Sequence, residues 1–476
     1  RPDYGSRASG FYTCPNHLAG FLETLALLLL AIGLFGRLTT WLRIVFLYFA
    51  GAAFAGVLIT GSRGGYVSTA TGLTVVAGYG VYHLIQVKRI RLSLLLLGAS
   101  CTCTAVWLGF SLVAHNDLVS GRLDAIAEPQ DIRPHLWQAG IRAFTLGPVV
   151  GTGAGTYLVY GRQFRDAAVQ TDPVYTHNDY LQLLAEYGLM GGALVICFLA
   201  AHFLAAWKYV RWRMRKLEKM EEAVSSSLAL VIGAAAGIAA IAVHSFFDFN
   251  LQVPGNTLFV AFLFGVLANP GVAWQENRPI RSGWVWKSVP AVLGITLIGL
   301  MVPRWSGESE TEASRRTFLN GAYALTISHA MRAAESGSEN PDLFYYLGES
   351  RRLLANQFDD VVRLNFLKSA AEAFDHGLEY FPMDERSLVK CGLTRAELGD
   401  FEKADTYFTQ ALKWDPNLGQ IYAFYGARLQ LEGRDQDAMA AYQRSNELSV
   451  NPLAIGGIQQ LLRAAKVKRS ASAAAE

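Results

Sequence analysis

At 476 residues, 52% hydrophobic and only 17% charged, the sequence is too apolar for a wholly soluble chain and too long for a single domain. A net charge of +3, with Lys and Arg gathered at the ends of apolar runs instead of along a stripe, argues against nucleic acid as a partner. The five cysteines form no Cys-x-x-Cys pair for zinc or redox work and read as small packing residues.

No signal-peptide pattern precedes the first apolar run, and a sequence beginning at Arg1 reads as part of a longer chain. Apolar runs at 18–36, 41–60, 66–87, 92–114, 187–207, 226–245, 257–274 and 284–302 are each expected to cross a membrane, since about 20 helical residues span the hydrocarbon with every backbone group satisfied. Pro270 interrupts the seventh. Basic residues fall in every second connection: Arg37 and Arg43, then Lys88, Arg89 and Arg91, then Lys208 through Lys219, then Arg278, Arg281 and Lys287. Such loops favour the cytoplasm, so the other face is expected to hold 1–17, the turn 61–65, the long polar interval 115–187, the loop 244–256 and everything after 302. In a bacterium this describes a multi-pass protein of the inner membrane with its C-terminal part in the periplasm.

That C-terminal part is different in kind. Residues 384–417 and 418–451 align as two 34-residue units, with Gly392 matching Gly426, Gly399 matching Gly433, Ala404 matching Ala438 and Phe408 matching Tyr442. This period marks tetratricopeptide repeats. Such arrays bind a peptide or protein partner, or act as spacers. The expected fold is therefore all-α: a polytopic transmembrane bundle over 1–305, a repeat solenoid over 306–465, and a frayed tail over 466–476.

Four polar features share the outer face. Asn16-His17 opens the first span, as a helix cap with an interfacial His or as part of a site. Arg63 lies in the Gly-rich turn 61–65 on the side where the charge bias disfavours it; it suits a phosphate, or snorkels to a lipid headgroup. Arg133, Trp137 and Arg142, at spacings of four and five, read as one cationic and aromatic helix face or as a solvated interfacial helix. His177-Asn178-Asp179-Tyr180 leads through Glu186 into the fifth span. His177 suits a general base, while Asn178 or Asp179 suits a helix cap. The Gly-rich turn 147–155 lacks the Lys-Ser/Thr of a nucleotide loop and reads as a tight backbone turn.

Taken in order, Ser62-Arg63-Gly64-Gly65, Arg133 ahead of Leu136-Trp137, Pro148-x-x-Gly151-x-Gly153-x-Gly155 and His177-Asn178-x-Tyr180-Leu181-x-x-x-x-Glu186-x-Gly188 resemble the O-antigen ligase family. That family takes in lipopolysaccharide O-antigen ligases, polysaccharide polymerases and protein oligosaccharyltransferases. The resemblance covers about residues 10–270, including Asn16-His17 after Gly10-Phe11, and lacks several spans that precede this region in the family. It implies transfer of a glycan from a polyprenyl diphosphate carrier to a lipid, glycan or protein acceptor at the outer face of the inner membrane. Arg63 and Arg133 would then bind the diphosphate and His177 would act as base. Asn178, Arg142, Trp137, Asn16, His17, Tyr180 and Glu186 would contact substrate. No cofactor or metal is expected, because diphosphate is already a good leaving group. A polymerase of the same family and a non-enzymatic scaffold for polysaccharide assembly are the alternatives. A shared site requires Arg63, Arg133 and His177 to line one cavity.

Overall fold

The computed structural model describes residues 7–86, 132–215, 225–268 and 283–475. It is all-α: the described residues form seventeen α-helices and no strand. Two compact units emerge: Arg1–Gly161 with Val174–Arg278, and Arg162–Pro173 with Pro279–Glu476. The chain thus leaves the first unit for twelve residues, Arg162–Pro173, and returns to it.

The first unit is a bundle of α1 (Pro15–Phe35), α2 (Thr40–Thr60), α3 (Arg63–Gln86), α4 (Arg133–Leu146), α5 (Tyr157–Gln163), α6 (Asp179–Arg215), α7 (Ser226–His244) and α8 (Pro254–Ala268), with α5 running across the division. Helix α1 packs against α2, α3 and α7, and Leu27, Leu28, Leu228, Ile232 and Leu263 form the core. Small residues let the backbones approach: a Cβ at Gly72 would sit 2.1 Å from the Leu27 side chain, and one at Gly233 2.8 Å from the Leu28 Cα. Membrane helices pack this way because lipid offers no hydrophobic drive for their association.

Among the described residues, five helical segments are long and apolar enough to cross a membrane: α1, α2, most of α6, α7 and Ser288–Leu319. The chain is a multi-pass membrane protein. Two further expected spans are not among these five. The run 66–87 lies in α3 as far as Gln86, and the glycines, threonines, tyrosines and serines of that helix dilute its apolar character; the run 257–274 is helical in α8 as far as Ala268, and 269–274 lie outside the described residues. The run 92–114 lies outside the described residues.

Alternation of helix direction gathers one set of ends together. The start of α1, the α2–α3 turn, the start of α6, the end of α7 and the start of α8 are cross-bonded: Arg7 Nε donates to the Thr60 carbonyl (2.8 Å), Asn16 Nδ2 to Asp248 (2.7 Å), Ser245 Oγ to Asp179 (2.9 Å) and Asn256 Nδ2 to the His17 carbonyl (3.0 Å). At the opposite ends, Ser225 N donates to the Phe35 carbonyl (3.0 Å), and Arg37, Arg43, Lys208 and Arg211 lie at or beside those termini.

The second unit begins with α9 (Gly283–Leu319), which runs without a break through the 305/306 boundary drawn from the sequence. Val292, Ile295, Ile298, Met301 and Trp305 are all exposed along it. Helices α10 (Tyr323–Glu335), α11 (Pro341–Ala355), α12 (Asp360–Tyr380), α13 (Glu385–Glu397), α14 (Phe401–Trp414), α15 (Gly419–Leu431), α16 (Asp435–Leu448) and α17 (Pro452–Ala475) follow. The pairs α13/α14 and α15/α16 superpose in sequence at the 34-residue offset. The matched residues explain the period. Gly392 and Gly426 admit the rings of Phe408 and Tyr442, which a Cβ would meet at 2.9 and 2.6 Å, and Ala404 and Ala438 are fully buried. Helix α17 continues to Ala475, so the tail expected to fray is helical; alanine loses no side-chain entropy in a helix.

Segment 162–173 packs inside this second unit. Arg162 pairs through both Nε and Nη2 with Asp172 (2.7 Å each) and through Nη1 with Glu385. Arg165 makes a two-pronged pair with Asp415 (2.7 and 2.8 Å). Burial pushes the Glu385 carboxyl up to about 7 from 4.5; Arg162, already committed to Asp172, only partly offsets this, and Asp384 and Asp172 add to it against Arg386. Asp415 is pushed up to about 6, mainly by burial. Carboxyls raised in the folded state contribute stability that is full below their unfolded values and is lost as pH rises through the folded ones. Asp172, held below its ordinary 3.8 against the pull of burial by Arg162, acts in a lower window. Hydrogen exchange of 162–173, corrected for intrinsic rate, is therefore expected to show more protection near about pH 5 than about pH 8. A flat profile would contradict that charge balance.

Candidate active site at one end of the helical bundle

Helix-end chemistry sets the site. Gly61, in the left-handed region at φ 62°, closes α2 as only glycine does without penalty. Ser62 Oγ then accepts from Gly65 N (3.2 Å) and caps α3. Arg63 is thereby fixed as the first residue of α3 and is exposed. A Cβ at the next residue, Gly64, would lie 3.1 Å from the His244 ring. Arg133 is likewise the first residue of its helix, α4, and lies close enough for its charge to act on His244. His244 in turn sits with its Nδ1 3.1 Å from Glu23, which also accepts from Ser68 Oγ (2.6 Å).

His177 is the one non-glycine residue at positive φ (52°) among those described. Such a conformation costs of order 1–3 kcal/mol and persists where surroundings enforce it. Here Thr176 and Asn178 do so: Thr176 N donates to Gln182 Oε1 (3.0 Å), and Asn178 Oδ1 caps α6 by accepting from Tyr180 N and Leu181 N (3.1 Å each). The His177 Nδ1 lies 3.1 Å from Asp248 Oδ1, with the side chain one-third exposed.

Asp248 is the hub. It is 1% exposed, accepts from Asn16 Nδ2 (2.7 Å) and its neighbour Phe249 N (2.9 Å), and lies 3.8 Å from His17 Nε2. Burial raises its carboxyl, but the imidazoles of His17 and His177 outweigh that and hold it well below the ordinary 3.8. A carboxylate only accepts, so His177 Nδ1 donates to it, and in the neutral ring Nε2 is then the acceptor. The Phe249 ring stands edge-on between His17 and His177, with centroids 4.7 Å from each.

The other residues singled out from the sequence divide. Asn16 and His17 join the hub, and Arg7 orients Asn16 by donating to its Oδ1 (2.6 Å). Trp137 follows Arg133 by one helical turn on α4. Arg142 does not join them: nine residues of helix from Arg133 turn it about 180° away, and it is exposed. The face inferred for all three residues is corrected accordingly. Tyr180 donates to the Ala242 carbonyl (2.6 Å), and Glu186 accepts from Gln182 Nε2 (3.0 Å) within the packing of α6.

The turn 147–155 repairs a break in α6. Gly188 is non-helical at φ 63°, ψ −167°, which frees backbone groups on either side. Ala185 O and Glu186 O accept from Thr152 N and Gly153 N (2.9 Å each), while Leu189 N and Met190 N donate to the carbonyls of Pro148 (2.9 Å) and Val149 (3.0 Å). Of the glycines in the turn, Gly151 lies directly against the Glu186 and Tyr187 backbone, where a Cβ would come within 2.2 Å. Gly188→Ala combines that conformation, worth about 1–3 kcal/mol of strain, with a Cβ 2.4 Å from the Val149 carbonyl. A clear drop in the thermal unfolding midpoint in detergent is expected; an unchanged midpoint would refute the account of the break.

Asp248, His244 and Glu23 escaped sequence reading. Glu23 offered a signal, as an acid inside an apolar run. Asp248 offered only its place in an outer-face loop.

The exopolysaccharide production protein ExoQ of Rhizobium meliloti is 23% identical over 286 residues, which are 53% of this chain and 61% of the relative. Photosystem I assembly protein Ycf3 of Rippkaea orientalis is 33% identical over 90 residues, 16% of this chain and 52% of that protein. The chain therefore spans between half and two thirds of the length of these relatives. A family model described as O-antigen ligase matches residues 47–196, the stretch that carries Arg63, Arg133 and His177. Over residues 47–196, therefore, the chain is similar to the O-antigen ligase family.

Proposed function

We propose that the chain moves an oligo- or polysaccharide from a polyprenyl diphosphate carrier to an acceptor at the periplasmic face of the inner membrane. The observation that carries this reading is the His177–Asp248 pair, one-third open at the imidazole and buried at the carboxylate, at the bundle end where Arg63 and Arg133 begin their helices. An acceptor hydroxyl would attack the anomeric carbon and pass its proton to His177 Nε2. The bond from that carbon to the diphosphate oxygen breaks, and polyprenyl diphosphate leaves with the electron pair. Arg63 and Arg133 would meet the charge that builds there. An arginine at the first position of a helix runs against the helix dipole, and an anionic ligand at that end offsets the conflict. In this reading the arginines supply the positive charge that a metal brings elsewhere. Asn16 and His17 hold Asp248, and Trp137 offers an apolar face to the sugar. Asn178, Tyr180 and Glu186 position the His177 loop.

A polymerase reading is favoured by the similarity to an exopolysaccharide production protein. It differs in the acceptor, which would be a second carrier-linked glycan, and its product is a ladder of lengths on the carrier. The test is the pool of polyprenyl-diphosphate-linked glycan in the producing cell. Loss of the chain is expected to leave that glycan unspent and accumulating on its carrier. A carrier pool and an acceptor glycan level both unchanged would sink the reading.

A further inference from the structure

The repeat array has an occupant within its own unit. Segment 162–173 touches the turn between α12 and α13 through Arg162 and Glu385, and the turn between α14 and α15 through Arg165 and Asp415. Neutral bonds seal the second contact: Asn417 Nδ2 donates to the Arg165 carbonyl (2.7 Å), Gln170 Nε2 donates to the Asn417 carbonyl (2.8 Å), and Gly419 N donates to Gln170 Oε1 (3.0 Å). Glu385 and Gly419 are equivalent positions, one 34-residue repeat apart, so the segment bridges two successive inter-repeat turns. The charged partners at the second contact are buried. Arg162 and Arg165 are 5% and 4% exposed, and Asp415 is fully buried. Arg165 also donates to the carbonyls of Val169 (3.2 Å) and Thr171 (2.6 Å), folding the segment around its own guanidinium.

This segment joins α5 to the residues that hold His177. Pro173 ends it, and Thr176 and His177 follow within four residues. We propose that the inter-repeat turns are a docking surface whose resident ligand is segment 162–173, and that the docked segment is a positioning element for His177. The repeats then act on glycan transfer through the short stretch of chain that runs from Pro173 to His177, in addition to any partner they take elsewhere. The positioning role rests on the reading of His177 as base; the docking does not. An arginine clamp suits the task because each two-pronged pair fixes orientation as well as distance.

The test uses the full chain in lipid nanodiscs with two readouts. Arg165→Ala is expected to raise hydrogen exchange over 162–173 and to lower kcat for glycan transfer by up to about 10²-fold, the penalty of a small misplacement of a reacting group, with KM for the carrier-linked donor little changed. The exchanged pair Arg165→Asp with Asp415→Arg is expected to restore both. Gln170→Ala, which removes only neutral bonds, is expected to move both readouts the same way to a smaller extent, and serves should Arg165→Ala not fold. Exchange that stays at the wild-type level in Arg165→Ala and Gln170→Ala would overturn the docking. Raised exchange with wild-type kcat would overturn the positioning role. If the wild-type chain itself transfers no glycan, the proposed function fails, while the exchange data still decide the docking.

Discussion

Asp248→Asn is expected to lower glycan transfer by about 10²–10⁴-fold, the contribution of a positioned general base, in a protein that still folds. Asparagine keeps the shape of the buried side chain and an oxygen that can accept from Asn16 or Phe249 N. It removes the carboxylate whose acceptor-only character puts the proton on His177 Nδ1 and the lone pair on Nε2. With an amide opposite it, the ring is free to take the other tautomer, and Nε2 ceases to be the base. His177→Ala should cost about as much as Asp248→Asn, and the double variant little more than either, because residues acting as one unit are not additive. Transfer near the wild-type rate in Asp248→Asn would show that the 3.1 Å contact has no part in catalysis.

Arg63→Ala and Arg133→Ala are each expected to cost about 10²–10³-fold in kcat, the usual loss when one preorganised charge donor is removed from a developing anion. The loss should fall on kcat more than on donor binding, because the charge grows as the glycosidic bond breaks. Lysine at either position keeps the charge and loses the planar fork, so partial activity is expected. Arg142→Ala, on the opposite side of α4, is expected to leave transfer unchanged. A loss at Arg142 equal to that at Arg133 would contradict the placement of the donor at the Arg133 end of the helix.

Much of this was legible in the sequence, for physical reasons that particular residues show. Apolar runs long enough to cross a bilayer announce themselves by length alone, which is why α1, α2 and α7 fall within a few residues of their expected bounds. The 34-residue match of Gly392 with Gly426 and Phe408 with Tyr442 is legible because the same crossing recurs and demands the same small and large residues. Arg63, Arg133 and His177 stood out by order and spacing. Asp248 did not, since its meaning lies entirely in contacts with Asn16 and His177, 232 and 71 residues away. The clamp of Arg165 on Asp415, 250 residues apart, is hidden for the same reason. Arg142 shows the opposite failure: a short spacing looked like a shared face, and the helix turned it away.

Purified chain in vesicles carrying a polyprenyl-diphosphate-linked glycan and an acceptor is the most direct measurement. Wild-type protein is expected to release polyprenyl diphosphate in step with glycan joined to the acceptor, and His177→Ala to do neither while still binding the donor. Release and transfer at the wild-type rate in His177→Ala, or no release from the wild-type chain, would contradict the account.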